Sequence, residues 1–154
     1  MKGPQLHPVS MKDLIPCGRG IAVFLEAAKK TFVIQVDVNI GLNISMCFMN
    51  KKTDRPLTHE LMKNIFVGFG IEMTNAIIVD MHDDTFTAQL NLHQSNELGS
   101  KIVEVDARPS DCILLALLLN KPIFILNCLL ERLDDVTELY NEIKKKKNNE
   151  FPPL

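Results

Sequence analysis

Eight successive positions, Cys112 to Leu119, carry no polar side chain. A helix of that composition has no face to offer water, so the rest of the chain must be built around it. What flanks it sharpens the reading. Lys101-Ile-Val-Glu-Val-Asp106 alternates polar and apolar residues, the pattern of a half-buried strand. Arg108-Pro109 breaks that strand, and Pro109, with no N–H and a fixed φ, suits the first turn of a helix. Asp111 falls in the same turn, where a carboxylate meets the positive end of the helix dipole. Asn120 stands where a left-handed residue closes helices, and Lys121-Pro122 prevents continuation. Ile123-Phe-Ile-Leu126 then reads as a short buried strand. The polar cluster Asp106, Arg108, Ser110 and Asp111 thus sits where a strand ends and a buried helix begins, a common place for a site.

Upstream, residues 1–8 read as a flexible leader and 9–147 as one domain, with a last helix over about 127–147 that is open to a break near Asp134, and a frayed tail at 148–154. Strands are expected at Val9–Ile15, Ile21–Leu25 and Thr31–Val36, the last two joined by a hairpin through Ala27–Lys30. Ile40, Ile44 and Phe48 repeat at helical spacing, although Gly41 and Asn43 weaken a helix there. Thr58 is an expected N-cap for a helix ended by Gly70, with Glu60 in its first turn and an apolar face of Leu61, Ile65 and Phe69. Glu72–Met81 and Phe86–Leu92 read as a hairpin, with Ile77, Val79 and Met81 on one face. Its turn, His82-Asp83-Asp84-Thr85, lacks glycine, which predicts a strained left-handed aspartate or a longer loop. Gln94–Ser100 reads as a polar loop. The fold class is α+β: a mixed, mostly antiparallel sheet packed with α-helices.

At 154 residues, 46% apolar and 23% charged, the chain has the composition of one globular domain. Its formal charge of −2 provides no global attraction for nucleic acid. Cys17, Cys47, Cys112 and Cys128 lack ligand spacing and have mostly apolar neighbours, which predicts buried free thiols, a reducing compartment and a cytoplasmic location. No segment is long and apolar enough to span a bilayer, so no membrane partner is expected.

Two clusters lie at helix starts, where free N–H groups favour anions. One is Thr58, His59 and Glu60; the other is Asp106, Arg108, Ser110 and Asp111. If the two starts are adjacent, a phosphodiester fits between them. Arg108 would grip the phosphate, with Thr58 and Ser110 beside it. Asp106 and Asp111 would hold Mg²⁺ or Mn²⁺, and His59, with Glu60 nearby, would serve as acid or base. The competing account makes Arg108 a buried residue in a structural ion-pair network with both aspartates. His82, Asp83 and Asp84 offer metal-binding atoms but suit a solvated hairpin tip better. Cys112 opens an apolar run with no base beside it in sequence, a poor setting for a nucleophile. Lys144–Lys147 reads as a solvated helix end.

The segments EVDARPSDCILLAL and NKPIFI resemble the signature of the bifunctional nuclease domain family. RPLTHELM and IVDMHDDTFTAQL resemble two further blocks in the family's order, and the likeness runs from about Ile15 to Leu133. The resemblance implies an α+β fold, a homodimer, and a nuclease acting on RNA and DNA with little sequence preference. One departure stands out: Ile40 occupies a position where the family carries an acid, so no role of that acid transfers. The rival is a non-catalytic module that binds a protein or small anion through the same charged helix starts.

Overall fold

The computed structural model describes residues 3–150. Seven strands and five helices alternate as β1 (Leu6–Cys17), β2 (Gly20–Ala27), β3 (Lys30–Asp37), α1 (Val38–Phe48), α2 (Thr58–Gly68), β4 (Ile71–His82), β5 (Thr85–Asn96), β6 (Gly99–Ala107), α3 (Pro109–Leu119), β7 (Ile123–Leu126), α4 (Asn127–Arg132) and α5 (Thr137–Glu150). The strands form one sheet in the order β3-β2-β1-β7-β4-β5-β6. All neighbours run antiparallel except β4 and β7, so the sheet is mixed and mostly antiparallel as expected.

Helix α3 is the hub. It touches α1 and α2 on its flanks and β4, β5 and β7 beneath. Ile113 and Leu115 are wholly buried and Leu114 nearly so. Each such side chain contributes roughly 1.5–3 kcal/mol of transfer free energy. Asn120 closes the helix at φ 53° and ψ 51°, and Lys121 N–H returns to the Ala116 carbonyl at 2.8 Å. Helix α1 forms despite Gly41 because the glycine is needed. A Cβ there would lie 2.6 Å from Ile21 Cδ1, so only a bare Cα allows α1 to settle on β2.

Several details differ from the sequence reading. Strand β1 begins at Leu6, inside the segment expected to be loose, because Leu6–Val9 pairs with β7 and His7 Nε2 meets Asn127 Oδ1 at 2.8 Å. Strands β5 and β6 extend through the expected polar loop to a turn at Glu97-Leu98. On β4, Ala76 and Ile78 face the core. A bulge between Ile78 and Asp80 then brings Met81 onto their side, so it does not share a face with Ile77 and Val79. The last helical region divides into α4 and α5, with the break at 133–136. Helix α5 runs on through Glu150, past the point where fraying was expected, and residues 151–154 lie outside the described residues. Cys17 and Cys128 are exposed, not buried. Both tight hairpins without glycine accept left-handed residues: Ala28 and Lys29 at φ 48° and 67°, Asp83 and Asp84 at φ 47° and 59°. No described helix is long and apolar enough to cross a membrane.

Candidate functional site

The starts of α2 and α3 do lie side by side. His59, in the first turn of α2, reaches Asp111, in the first turn of α3: Nε2 to Oδ1 is 2.8 Å. Arg108 precedes α3 and grips the same carboxylate side-on, Nε to Oδ2 at 2.9 Å and Nη2 to Oδ1 at 3.3 Å. Local sequence dictates this arrangement. Pro109 starts the helix, the Arg108 carbonyl accepts the first helical N–H groups, and the i,i+3 spacing places the Arg108 side chain over Asp111.

Burial grades the three side chains. His59 is 12% exposed, Asp111 23% and Arg108 68%. The expectation of a buried arginine between two aspartates is therefore corrected. The guanidinium meets solvent, and one aspartate, not two, engages it. Partial burial acts to raise the pKa of Asp111. Hydrogen bonds from Arg108 and His59, with the Arg108 charge, outweigh that and hold it below the usual carboxylate range. An ionised carboxylate has no proton to give, so His59 Nε2 must be the donor. The Nδ1 lone pair is then the ring position left for proton exchange.

The other candidates fall around this centre. Asp106 stands exposed on β6 and makes no hydrogen bond or ion pair to the cluster. Glu60 is committed to the helix start: its Oε2 accepts from Leu57 N–H at 2.7 Å and from Thr53 Oγ1 at 2.9 Å. The N-cap is Leu57, and Thr58 is the first helical residue, a correction to the expected cap. Ser110 is nearly buried, at 7% exposure, on the Arg108 side. The cluster separates two concavities. One, of about 460 Å³, holds His59, Glu60, Cys47 and Lys63; the other, of about 250 Å³, holds Arg108, Ser110, Asp37 and Asp84.

Both oxygens of Asp111 are engaged, Asp106 stands apart, and no described group of three His, Cys, Asp or Glu is placed to hold a metal ion. His82 and Asp83 lie 3.3 Å apart, each about nine-tenths exposed, as a solvated hairpin tip should be. The Cys112 thiol is pushed up to about 12, first by burial and then by the charges of Asp111 and Asp106, which makes it a poor nucleophile. Ile40 is buried at 6% exposure in the hydrophobic core. Sequence reasoning missed Asp37, which caps α1 through Ile40 N–H at 3.1 Å, and Lys63. Lys63 was findable: it follows His59 by four residues on the same helical face.

Fold and cluster together define a single α+β domain with an open His–Asp–Arg centre between two helix starts. The chain belongs to the bifunctional nuclease domain family, whose profile matches residues 23–137. It is also similar to two uncharacterized proteins of Mycobacterium tuberculosis, from strains CDC 1551 / Oshkosh and ATCC 25618 / H37Rv. Each is 34% identical over 71 residues, which is 46% of this chain and 39% of the relative. The chain thus spans about two fifths of the length of those relatives.

Proposed function

We propose that this protein is a nuclease that hydrolyses phosphodiester bonds in RNA and DNA with little sequence preference. The observation that supports this most is the sharing of one carboxylate by His59 and Arg108 at a mouth open to solvent. In this reading the phosphate lies across the exposed edge of Arg108, whose guanidinium favours an anion. Asp111 holds the His59 ring so that Nδ1 takes a proton from the attacking water. The new P–O bond forms as the bond to the leaving oxygen breaks, solvent protonates that oxygen, and Arg108 stabilises the charge gathering on the phosphoryl group. Thr58 and Ser110 stand at the two helix starts as polar neighbours of the substrate. Asp106 and Asp111 are the carboxylates that would hold a Mg²⁺ or Mn²⁺ ion, which would polarise the phosphoryl oxygen. A homodimer is proposed on the family resemblance; it would cover the exposed Leu57, Leu61 and Ile65 of α2.

A second reading, a non-catalytic anion-binding module, is favoured by the burial of Ile40 and the commitment of Glu60 to its helix start. One experiment separates the two. Purified protein is given labelled single-stranded RNA and DNA with Mg²⁺, with Mn²⁺ and with chelator, beside identically prepared His59→Ala and Asp106→Asn. Cleavage lost in His59→Ala supports the nuclease. Cleavage equal in all preparations marks a contaminant and leaves the binding module.

A further inference from the structure

Apart from His59, the larger concavity beside the cluster has no part in the bond-breaking step above. It lies between the loop after α1, the first two turns of α2, and the end of α3, and its volume is about 460 Å³. That falls within the range of about 300–1,000 Å³ usual for small-molecule sites. Its make-up is divided. Met46, Leu114, Leu117 and Leu118 supply an apolar wall, while Lys51, Lys52 and Lys63 stand against a single carboxylate, Glu60. Glu60 Oε2 accepts from Leu57 N–H and Thr53 Oγ1, and three lysines against one carboxylate leave the lining net positive. The charge acts on Cys47 as well: burial raises its thiol pKa first, Glu60 adds to this, and Lys63 works against it.

The opposite concavity differs in sign. Arg108 there faces Asp37 and Asp84, two carboxylates for one guanidinium. A polyanion whose scissile phosphate rests on Arg108 therefore finds further cationic ground on the His59 side only. His59 lines the larger pocket and is also bonded to Asp111, so a group seated there lies directly beside the phosphate held at Arg108.

We propose that this pocket is a nucleotide subsite. It seats the base next to the scissile phosphate against the leucine and methionine wall, with the following phosphate on Lys51, Lys52 and Lys63. No Phe, Tyr or Trp lines it, so the base rests mainly on aliphatic contact beside the His59 ring. That arrangement reads every base face alike and gives little sequence preference. The proposal rests on the nuclease reading for the scissile bond, but mononucleotide binding is measured without any cleavage.

The test is a ¹H–¹⁵N NMR titration of the intact chain with adenosine 5′-monophosphate, adenosine and inorganic phosphate. The expected result is saturable shifts confined to residues 43–63 and 114–118, with the monophosphate tighter than adenosine or phosphate alone. Lys51→Ala/Lys52→Ala should raise its dissociation constant at least tenfold, and Lys63→Glu, on a different element, should do the same. Those results with no cleavage of RNA or DNA would keep the subsite and remove the nuclease. Shifts centred on Asp37, Asp84 and Arg108, or no saturable shift at millimolar nucleotide, would overturn the subsite even if cleavage is found.

Discussion

Replacing Asp111 by Asn should separate stability from chemistry. The substitution is nearly isosteric, and the amide oxygen can still accept from Arg108 Nε. The amide NH₂ then faces His59 Nε2, which must turn from donor to acceptor and move its proton to Nδ1. Stability loses the charge of a pair whose arginine is 68% exposed, so screening leaves that contribution small. Together with the weaker bond to the half-buried His59, the loss comes to about 1 kcal/mol. For a chain of this size that lowers Tm by roughly 2–4 °C. On the nuclease reading activity should suffer far more, because the ring nitrogen proposed to take the proton of the attacking water is now blocked. A fall of about 10²–10⁴ in kcat is expected. The acid limb should change too. The folded pKa of Asp111 is lowered, so its stabilisation is present above the unfolded value and is lost as pH falls through the folded one. Asp111→Asn should flatten unfolding curves below about pH 4. Thermal melts between neutral and acid pH, with cleavage rates on the same samples, test this. Wild-type turnover together with an unchanged acid limb would refute the reasoning.

Four further outcomes follow from the fold. Gly41→Ala should destabilise by about 1–3 kcal/mol despite a better helix propensity, since its Cβ would sit 2.6 Å from Ile21 Cδ1; urea denaturation measures it. Asp84→Gly should stabilise by about 0.5–1 kcal/mol by relieving a left-handed aspartate at φ 59°, seen as a higher urea midpoint at unchanged slope. In native protein, iodoacetamide should alkylate Cys17 and Cys128 and leave Cys112 untouched. With Cys112 raised to about 12, stability should also fall as pH rises above the unfolded thiol value, an alkaline loss that Cys112→Ala lacks.

The site was legible where local rules act alone. Pro109, Asp111 and Asn120 mark the start and end of α3 through backbone geometry and the dipole, and the structure keeps all three in those places. The pairing of the helix starts was only a condition in the sequence, because no local rule states how far His59 lies from Asp111. What escaped was set by distant partners. Leu6–Pro8 looked loose because β7, its partner, lies more than a hundred residues on. The hairpin at Glu97-Leu98 was hidden because β6 is an edge strand, so alternation is not enforced by a core on one face. The apolar stripe of α2 read as core-facing, yet none of its residues is buried, since α3 and β4 cover only one side of that helix. Gly41 read as a weak point because the side chain that demands it, Ile21, lies on another element.

The proposed chemistry requires that His59 and Asp111 act as one unit on a phosphodiester bond. A double-mutant cycle of kcat, with His59→Ala, Asp111→Asn and the pair together on single-stranded RNA, tests it most directly. The account predicts that each single change costs at least about a hundredfold and that the double variant is no slower than the slower single one. Losses that multiply, or single variants as fast as the parent, would contradict it.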